Sequence, residues 1–340
     1  MKKSLIYILA ITTALFSCSK SSLEQEGGLL SDIPVIFSPT ADWPTIVQSN
    51  AANNPTKGLI NNATDLRQYG ISLLSTASIG ENTNTVFNNT KLQYTNSAWN
   101  YGTVQYWIPG AEYKFAAFAP YAGNTGESGN ISNGEVSITG STTAPAITIE
   151  NYITGKVSSG SEQFDARNED LLFADYVRDN TSSNDYSAVP LQFNHLLSCI
   201  TFNIRNTTNN DIIGIDNIRL TGLKYKGTIN ITLNSATLTP SNEPVGSSET
   251  YFEGADRPAT GETSPFLPKG MSENDFKPLF ECEYLTVFPQ SLYGTNANLE
   301  FTVIYSGSSS KNFTLNLGNV ESISSWAIGK KYKYNILITS

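Results

Sequence analysis

Few residues in this chain carry chemistry of their own, so their placement is informative. Cys18 follows Leu15-Phe16-Ser17, a small residue directly before a thiol, at the end of a short apolar run. Lys2 and Lys3 give that run a positive start, and Leu5 to Phe16 form its apolar body. Twelve residues at a helical rise of about 1.5 Å reach about 18 Å, short of a hydrocarbon core of about 30 Å. The segment therefore reads as a leader rather than a membrane span. The sequence predicts a signal peptide over residues 1–17, an acyl chain such as palmitate on Cys18, and a polar tether over 18–31. Ordinary secretion with cleavage near Ser17 is the plainer alternative.

His195 is the only histidine, so any Ser-His-acid catalysis would pass through it. It lies in Leu191-Gln-Phe-Asn-His-Leu-Leu, a strand-like run where a structural role is the default, and no G-x-S-x-G elbow occurs. A zinc site built on histidines is excluded by the count, and Cys199 and Cys282 lack partners at metal-ligand spacing. Those two cysteines leave one disulfide open, with buried free thiols the preferred reading. The acidic residues Asp165, Glu169, Asp170, Asp175 and Asp179 lack the alternating spacing and bend glycine of a calcium loop, and read as solvated. Trp43, Trp99, Trp107 and Trp326 could offer stacking faces to sugar rings, although large aromatics more often fill sandwich cores. No metal, cofactor or catalytic residue is expected.

The elements that would position such groups are short strands. Asn, Ser, Thr, Tyr and Phe are abundant; Thr, Tyr and Phe favour strands, while Asn, Ser and Gly mark turns. The strand candidates are 34–37, 70–74, 104–108, 113–118, 135–139, 146–149, 191–204, 215–220, 227–233 and 301–305. Turn clusters at 82–84, 123–129 and 207–211 separate them. No amphipathic helix intervenes, so the pattern is all-β, of sandwich type. The last strand places Tyr332, Tyr334, Ile336 and Ile338 on one face and Lys331, Lys333, Asn335 and Leu337 on the other. The polar stretch Asp179 to Pro190 suggests a boundary between two domains, 32–185 and 186–340.

The full chain has 21 basic and 30 acidic residues, a net charge of −9; losing Lys2 and Lys3 with the leader leaves 19 against 30, or −11. An acidic chain without basic runs argues against nucleic acid or anionic lipid as partner. No later stretch approaches 18 consecutive apolar residues, so the lipid on Cys18 is the expected membrane contact.

Seven segments form an ordered series. They are Val35-Ile-Phe37, Thr56-Lys57-Gly58, Tyr113-Lys-Phe-Ala-Ala-Phe-Ala-Pro-Tyr121, Asp170-Leu-Leu-Phe-Ala174 and Leu191-Gln-Phe-Asn-His195 running into Ile200-Thr-Phe-Asn-Ile204. Leu285-Thr-Val-Phe-Pro-Gln290 and Trp326-x-x-Gly329-x-x-Tyr332-x-Tyr334 complete it. Taken in this order, the segments resemble the fimbrillin family, the type V pilin-like surface lipoproteins of Bacteroidetes. The resemblance implies two tandem transthyretin-like β-sandwich domains on a lipid-anchored outer-membrane protein of fimbriae or adhesion. It also implies other fimbrial subunits as partners by strand addition, after a protease removes the first strand at a basic residue. Carried over, the processing site is Lys57, with Arg67 second. The chain departs from the family pattern here, since an arginine-specific protease needs arginine at position 57. That departure favours a tip, anchor or accessory role, with Lys331 to Ile338 either a donor strand or an integral one. The alternative function is a glycan-binding surface lipoprotein serving carbohydrate uptake; a hydrolase through His195 ranks last.

Overall fold

The computed structural model describes residues 33–41, 63–123, 134–154, 169–240, 250–253, 256–258, 264–280, 284–320 and 323–339. Cys18, Trp43, Lys57, Asp165 and Cys282 lie outside them.

The protein is all-β, with sheets packed in sandwich fashion. In chain order, β1 (Thr40–Ala41) precedes a single helical turn, α1 (Ala63–Leu66). Then come β2 (Ile71–Ile79), β3 (Asn82–Thr95), β4 (Ala98–Tyr101), β5 (Glu112–Ala119), β6 (Glu135–Ser141), β7 (Ala144–Ile153), β8 (Leu172–Asp179) and β9 (Gln192–His195). Past Leu197 follow β10 (Ser198–Asn206), β11 (Ile212–Thr221), β12 (Lys226–Ile231), β13 (Ala236–Pro240), β14 (Thr250–Glu253), β15 (Lys277–Pro278) and β16 (Leu285–Val287). The chain closes with β17 (Gln290–Ser291), β18 (Asn298–Tyr305), β19 (Ser310–Asn316), β20 (Ser325–Trp326) and β21 (Lys331–Ile338).

A seven-stranded sheet runs β1-β9-β8-β5-β2-β3-β4. Its two faces are both covered, and the sequence of β5 shows why. Tyr113, Phe115 and Ala117 point into one core with Phe87, Trp107 and Leu172, while Ala116 and Phe118 point into another with Ile147, Tyr152 and Phe173. The β5 run from Phe115 to Ala119 is apolar at every position, which is stable only when both faces are dry. The covering layer is a four-stranded sheet, β13-β12-β7-β6, in which β7 lies antiparallel to β12. That sheet draws one hairpin from each side of residue 185, and β9, just past that position, joins the first sheet. A third core is built on β10, β11, β18 and β21 and holds Phe202, Leu220, Phe301, Trp326 and Tyr334.

Several sequence expectations change. The runs 34–37 and 104–108, read as strands, meet their neighbours through isolated bridges, Pro34 with Tyr106 and Phe37 with Val189. Glu169 and Asp170, read as solvated, are buried. The segment 82–84, read as a turn, is the start of β3; the turn is Gly80 and Glu81, with Ile79 facing Asn82. Asn and Thr disfavour or favour strands only weakly beside the pairing offered by a neighbour such as β2. The run 191–204 splits at Leu196 and Leu197, whose buried side chains turn into the middle core. Between β3 and β4, Asn96 and Ser97 both take positive φ (52° and 63°), the two-residue hairpin geometry matched to strand twist.

Candidate functional site

The site is the edge where residues 33–41 lie. In Ile33-Pro-Val-Ile-Phe-Ser-Pro-Thr-Ala41, the odd positions from Val35 to Ala41 are buried and the even ones exposed. That is strand periodicity against one apolar face. The backbone is shared between two neighbours. Val35 N–H donates to Gln105 O (2.9 Å) and Trp107 N–H to Ile33 O (3.0 Å). Further on, Val189 N–H donates to Ile36 O (2.8 Å), Ser38 N–H to Val189 O (2.9 Å) and Thr40 N–H to Leu191 O (2.8 Å). Thr40 and Ala41 thus run parallel to Gln192 and Phe193. Pro39 sits at an edge position where it has no N–H to leave exposed.

Phe37 anchors this strand. Its ring meets Phe87 and Tyr101 at 5.7 Å and Phe115 at 5.9 Å, each edge to face. Such pairs contribute roughly 0.5–1.5 kcal/mol beyond area burial. The Tyr101 hydroxyl donates to Val35 O. The far end is narrow: Ala41 is 1% exposed, and α1 lies against it with Leu66 buried in the same core. One wall is set by Arg178, itself 4% exposed. Its guanidinium sits 5.1 Å over Trp107 and donates to the carbonyls of Ser187 and Ala188, fixing the segment that leads into Val189. Asp185 is held below the usual carboxylate range by the Ser187 hydroxyl and N–H, with Arg178 adding to it.

The last strand makes the opposite kind of edge. β21 runs parallel to β10 in unbroken register from Cys199↔Lys331 to Asn206↔Ile338. Tyr334 stacks on Phe202 at 4.8 Å, and its hydroxyl accepts from Trp326 Nε1 at 2.9 Å. Burial pushes the Tyr334 phenol up to about 12. Tyr332 and Ile336 are half-buried and Ile338 buried; Lys333, Asn335 and Leu337 are exposed. The Thr207 N–H and hydroxyl both donate to Ile338 O, which fastens the end.

The other sequence-marked residues fall in three places. His195 is internal: its Nδ1 lies 2.8 Å from Asp170 Oδ2 and both side chains are at most 2% exposed, out of reach of a solute. The pair ties the start of β8 to the end of β9. Gly329, at φ +63°, packs where an added Cβ would lie 3.1 Å from His195 O, and its N–H donates to Leu197 O. Gln290 holds both backbone groups of Lys224 at 3.0 Å. These motif residues are fasteners between strands. Cys199 is a buried free thiol pushed up by burial, with the Asp170 charge adding to it.

Arg67 is exposed in the turn after α1, its guanidinium 4.5 Å over the Tyr94 ring. Trp107 and Trp326 are each 2% exposed, so neither offers a face to a sugar; Trp99 is half-buried against Tyr94. A polar cleft of about 270 Å³ opens by the β6–β7 and β12–β13 turns, lined by Thr76, Ser78, Thr83, Lys114, Thr143 and Asn234 among others, with no aromatic ring. Among the described residues no cluster of three or more His, Cys, Asp or Glu could hold a metal, and no helix is long and apolar enough to cross a membrane. Sequence reasoning did not find Arg178, because a lone arginine ending a strand carries no local mark.

Fold and site together define an all-β sandwich protein with an edge closed by its own N-terminal strand. The sequence over residues 56–340 matches the model of the Fimbrillin-like family, and the chain belongs to that family. No curated protein matches. Among solved structures it is similar to a candidate cell adhesion protein of Bacteroides uniformis (16% identity, covering 91% of this chain and 94% of that one, TM-score 0.45). A second of that description, from Bacteroides ovatus, has 14% identity, coverages of 89% and 91%, and a TM-score of 0.49. A fimbrial assembly protein of Parabacteroides distasonis has 9% identity, coverages of 90% and 92%, and a TM-score of 0.36.

Proposed function

We propose that this chain is a non-enzymatic cell-surface fimbrial subunit or fimbria-associated adhesin, anchored to the outer membrane by the lipid on Cys18. Residues 33–41 close an apolar slot that a strand from another subunit fills once the first strand is cut away. One observation carries this reading: the first strand buries four alternate side chains, yet its backbone pairing is short and divided between residues 105–107 and 189–193. A strand so placed is separable. The slot it leaves combines unpaired backbone with apolar surface, which an added strand repairs.

Lys57 is preferred to Arg67 as the cut, because the Arg67 backbone is wound into a turn (N–H to Thr64 O, 3.3 Å) and its side chain is stacked. The division at residues 185 and 186 into two sandwiches belongs to the same proposal. Treatment of the purified chain with a trypsin-like protease tests it. A discrete cut between residues 41 and 63, followed by a ladder of SDS-resistant oligomers, supports strand replacement. No cut and no ladder would end the polymerising version and leave an adhesin with a permanent first strand. The glycan-uptake alternative gains nothing from the tryptophans, two of which are core residues.

A further inference from the structure

The slot beneath residues 35–41 is graded in size along its length. Val35 lies at one end, entirely buried, and Phe37 occupies a site walled by three aromatic rings. Pro39 and Ala41 are buried at the other end, where β1 is held between β9 and α1. The inward positions therefore read aliphatic, aromatic, small, small. The last strand presents Tyr332, Tyr334, Ile336 and Ile338 at the same alternation.

We infer that this slot selects by side-chain size for a strand with an aliphatic, an aromatic and then two compact residues at alternate positions, so that its replacement strand comes from a different chain and not from β21 of a second copy. The inference rests on the strand-replacement reading and adds to it the kind of partner.

The mismatch appears in each parallel register that fills the Phe37 site. Laid on Val35 to Ala41 in order, β21 would put Tyr332 in the Val35 site and the Tyr334 hydroxyl against the rings around Phe37. A phenol buried without a partner is disfavoured. Ile338 would add three carbons at Ala41, against Leu66, where close packing leaves no room. Shifting the donor by two or four residues in one direction puts Ile336 or Ile338 in the aromatic site. Shifting it by two the other way puts Tyr334 at Pro39. Leaving its own place also costs Tyr334 its stack on Phe202 and its bond from Trp326. The alternation of hydrophobic residues is shared by the two strands; the sizes are not.

Two measurements test the size code and keep it separate from strand replacement. In the uncut chain, residues 35–41 are replaced by the sequence of residues 332–338, and Ala41→Ile is made alone; thermal unfolding is compared with the wild type. Both variants are expected to lower Tm, the graft by more than 10 °C. An unchanged Tm for both would overturn the size code whether or not strands exchange. In the second arm a site-specific protease sequence is placed within residues 50–56 and cut. Labelled peptides spanning 32–42, the same peptide with Phe37→Ala or Ala41→Ile, and a peptide spanning 330–340 are then added. The 32–42 peptide is expected to exchange in, each substitution to weaken it at least tenfold, and 330–340 not to bind. Binding of 330–340 as tight as 32–42 would overturn the inference. If the uncut variants lose stability but no peptide exchanges, the size code stands as a property of the slot, strand replacement fails, and the inference of a foreign partner falls with it.

Discussion

The first strand and the last strand are both parallel edge strands, and both are docked on one continuous stretch of chain. Residues 36–41 lie along 189–193, and β21 lies along 199–206. They differ in what fastens them. The first has one anchor ring, short pairing split between two neighbours, and a proline at its open edge. The last has eight consecutive register pairs, a stacked tyrosine whose hydroxyl is bonded to a tryptophan, and a doubly bonded terminus. The inward side chains of the first strand are all buried and only two of the last strand's four are, so burial alone does not rank the two edges by how firmly they are fastened. Burial measures the apolar gain; removability depends on how many backbone and side-chain partners must be left at once.

The largest expected effects remove an anchor from each edge. Phe37→Ala should cost about 3–5 kcal/mol, as truncation of a core aromatic does. Denaturant unfolding followed at the four tryptophans should show the loss in the transition of the seven-stranded sheet. Ile338→Ala, at the other edge, should cost about 2–5 kcal/mol and weaken the third core instead. If both changes shift a single transition equally, the two edges are not independent. Next is Tyr334→Phe, which leaves the Trp326 N–H without its acceptor and should cost about 1–3 kcal/mol.

Alkaline pH should not discriminate between the edges. Burial pushes Tyr113, in the first core, and Tyr334, in the third, to about 12 each. A folded-state pKa above the unfolded value of about 10 means the folded form holds its proton longer. Stability is then fully present below about pH 10 and lost as pH rises towards 12. Equilibrium unfolding from pH 9 to 12 should show that decline in both cores, and Tyr113→Phe should lessen it in the first alone. The smallest effect is Arg67→Ala. An exposed cation over a ring is worth about 0.5–1 kcal/mol, so Tm should fall by no more than a few degrees.

The all-β class was legible because strings such as Tyr113 to Phe118 have strand composition and no helical period. The inward alternation of β21 was legible for the same reason. β3 was not, because its opening Asn82-Thr-Asn84 has turn composition and its strand state comes from pairing with β2. The β7–β12 pairing joins residues about 80 apart in sequence and leaves no trace in either hairpin. For the site, Val35-Ile-Phe37 stood out as a strand, but the half-buried Trp99 and the buried Trp107 and Trp326 had the same local appearance. His195 read as structural by default, but its partner Asp170, 25 residues earlier, carries no mark that pairs the two. Arg178 had no signature at all, since its importance lies in carbonyls that the fold brings to it.

The central claim is that the first strand opens more readily than the last. Native-state hydrogen exchange on the intact chain measures this directly, by comparing the amides of Ser38, Thr40 and Val189 with those of β21 and its partner β10. The account predicts that the first group exchanges through a local opening smaller than the one that frees β21, with Phe37→Ala accelerating only the first group. Equal protection of the two groups, or earlier exchange along β21, would contradict it.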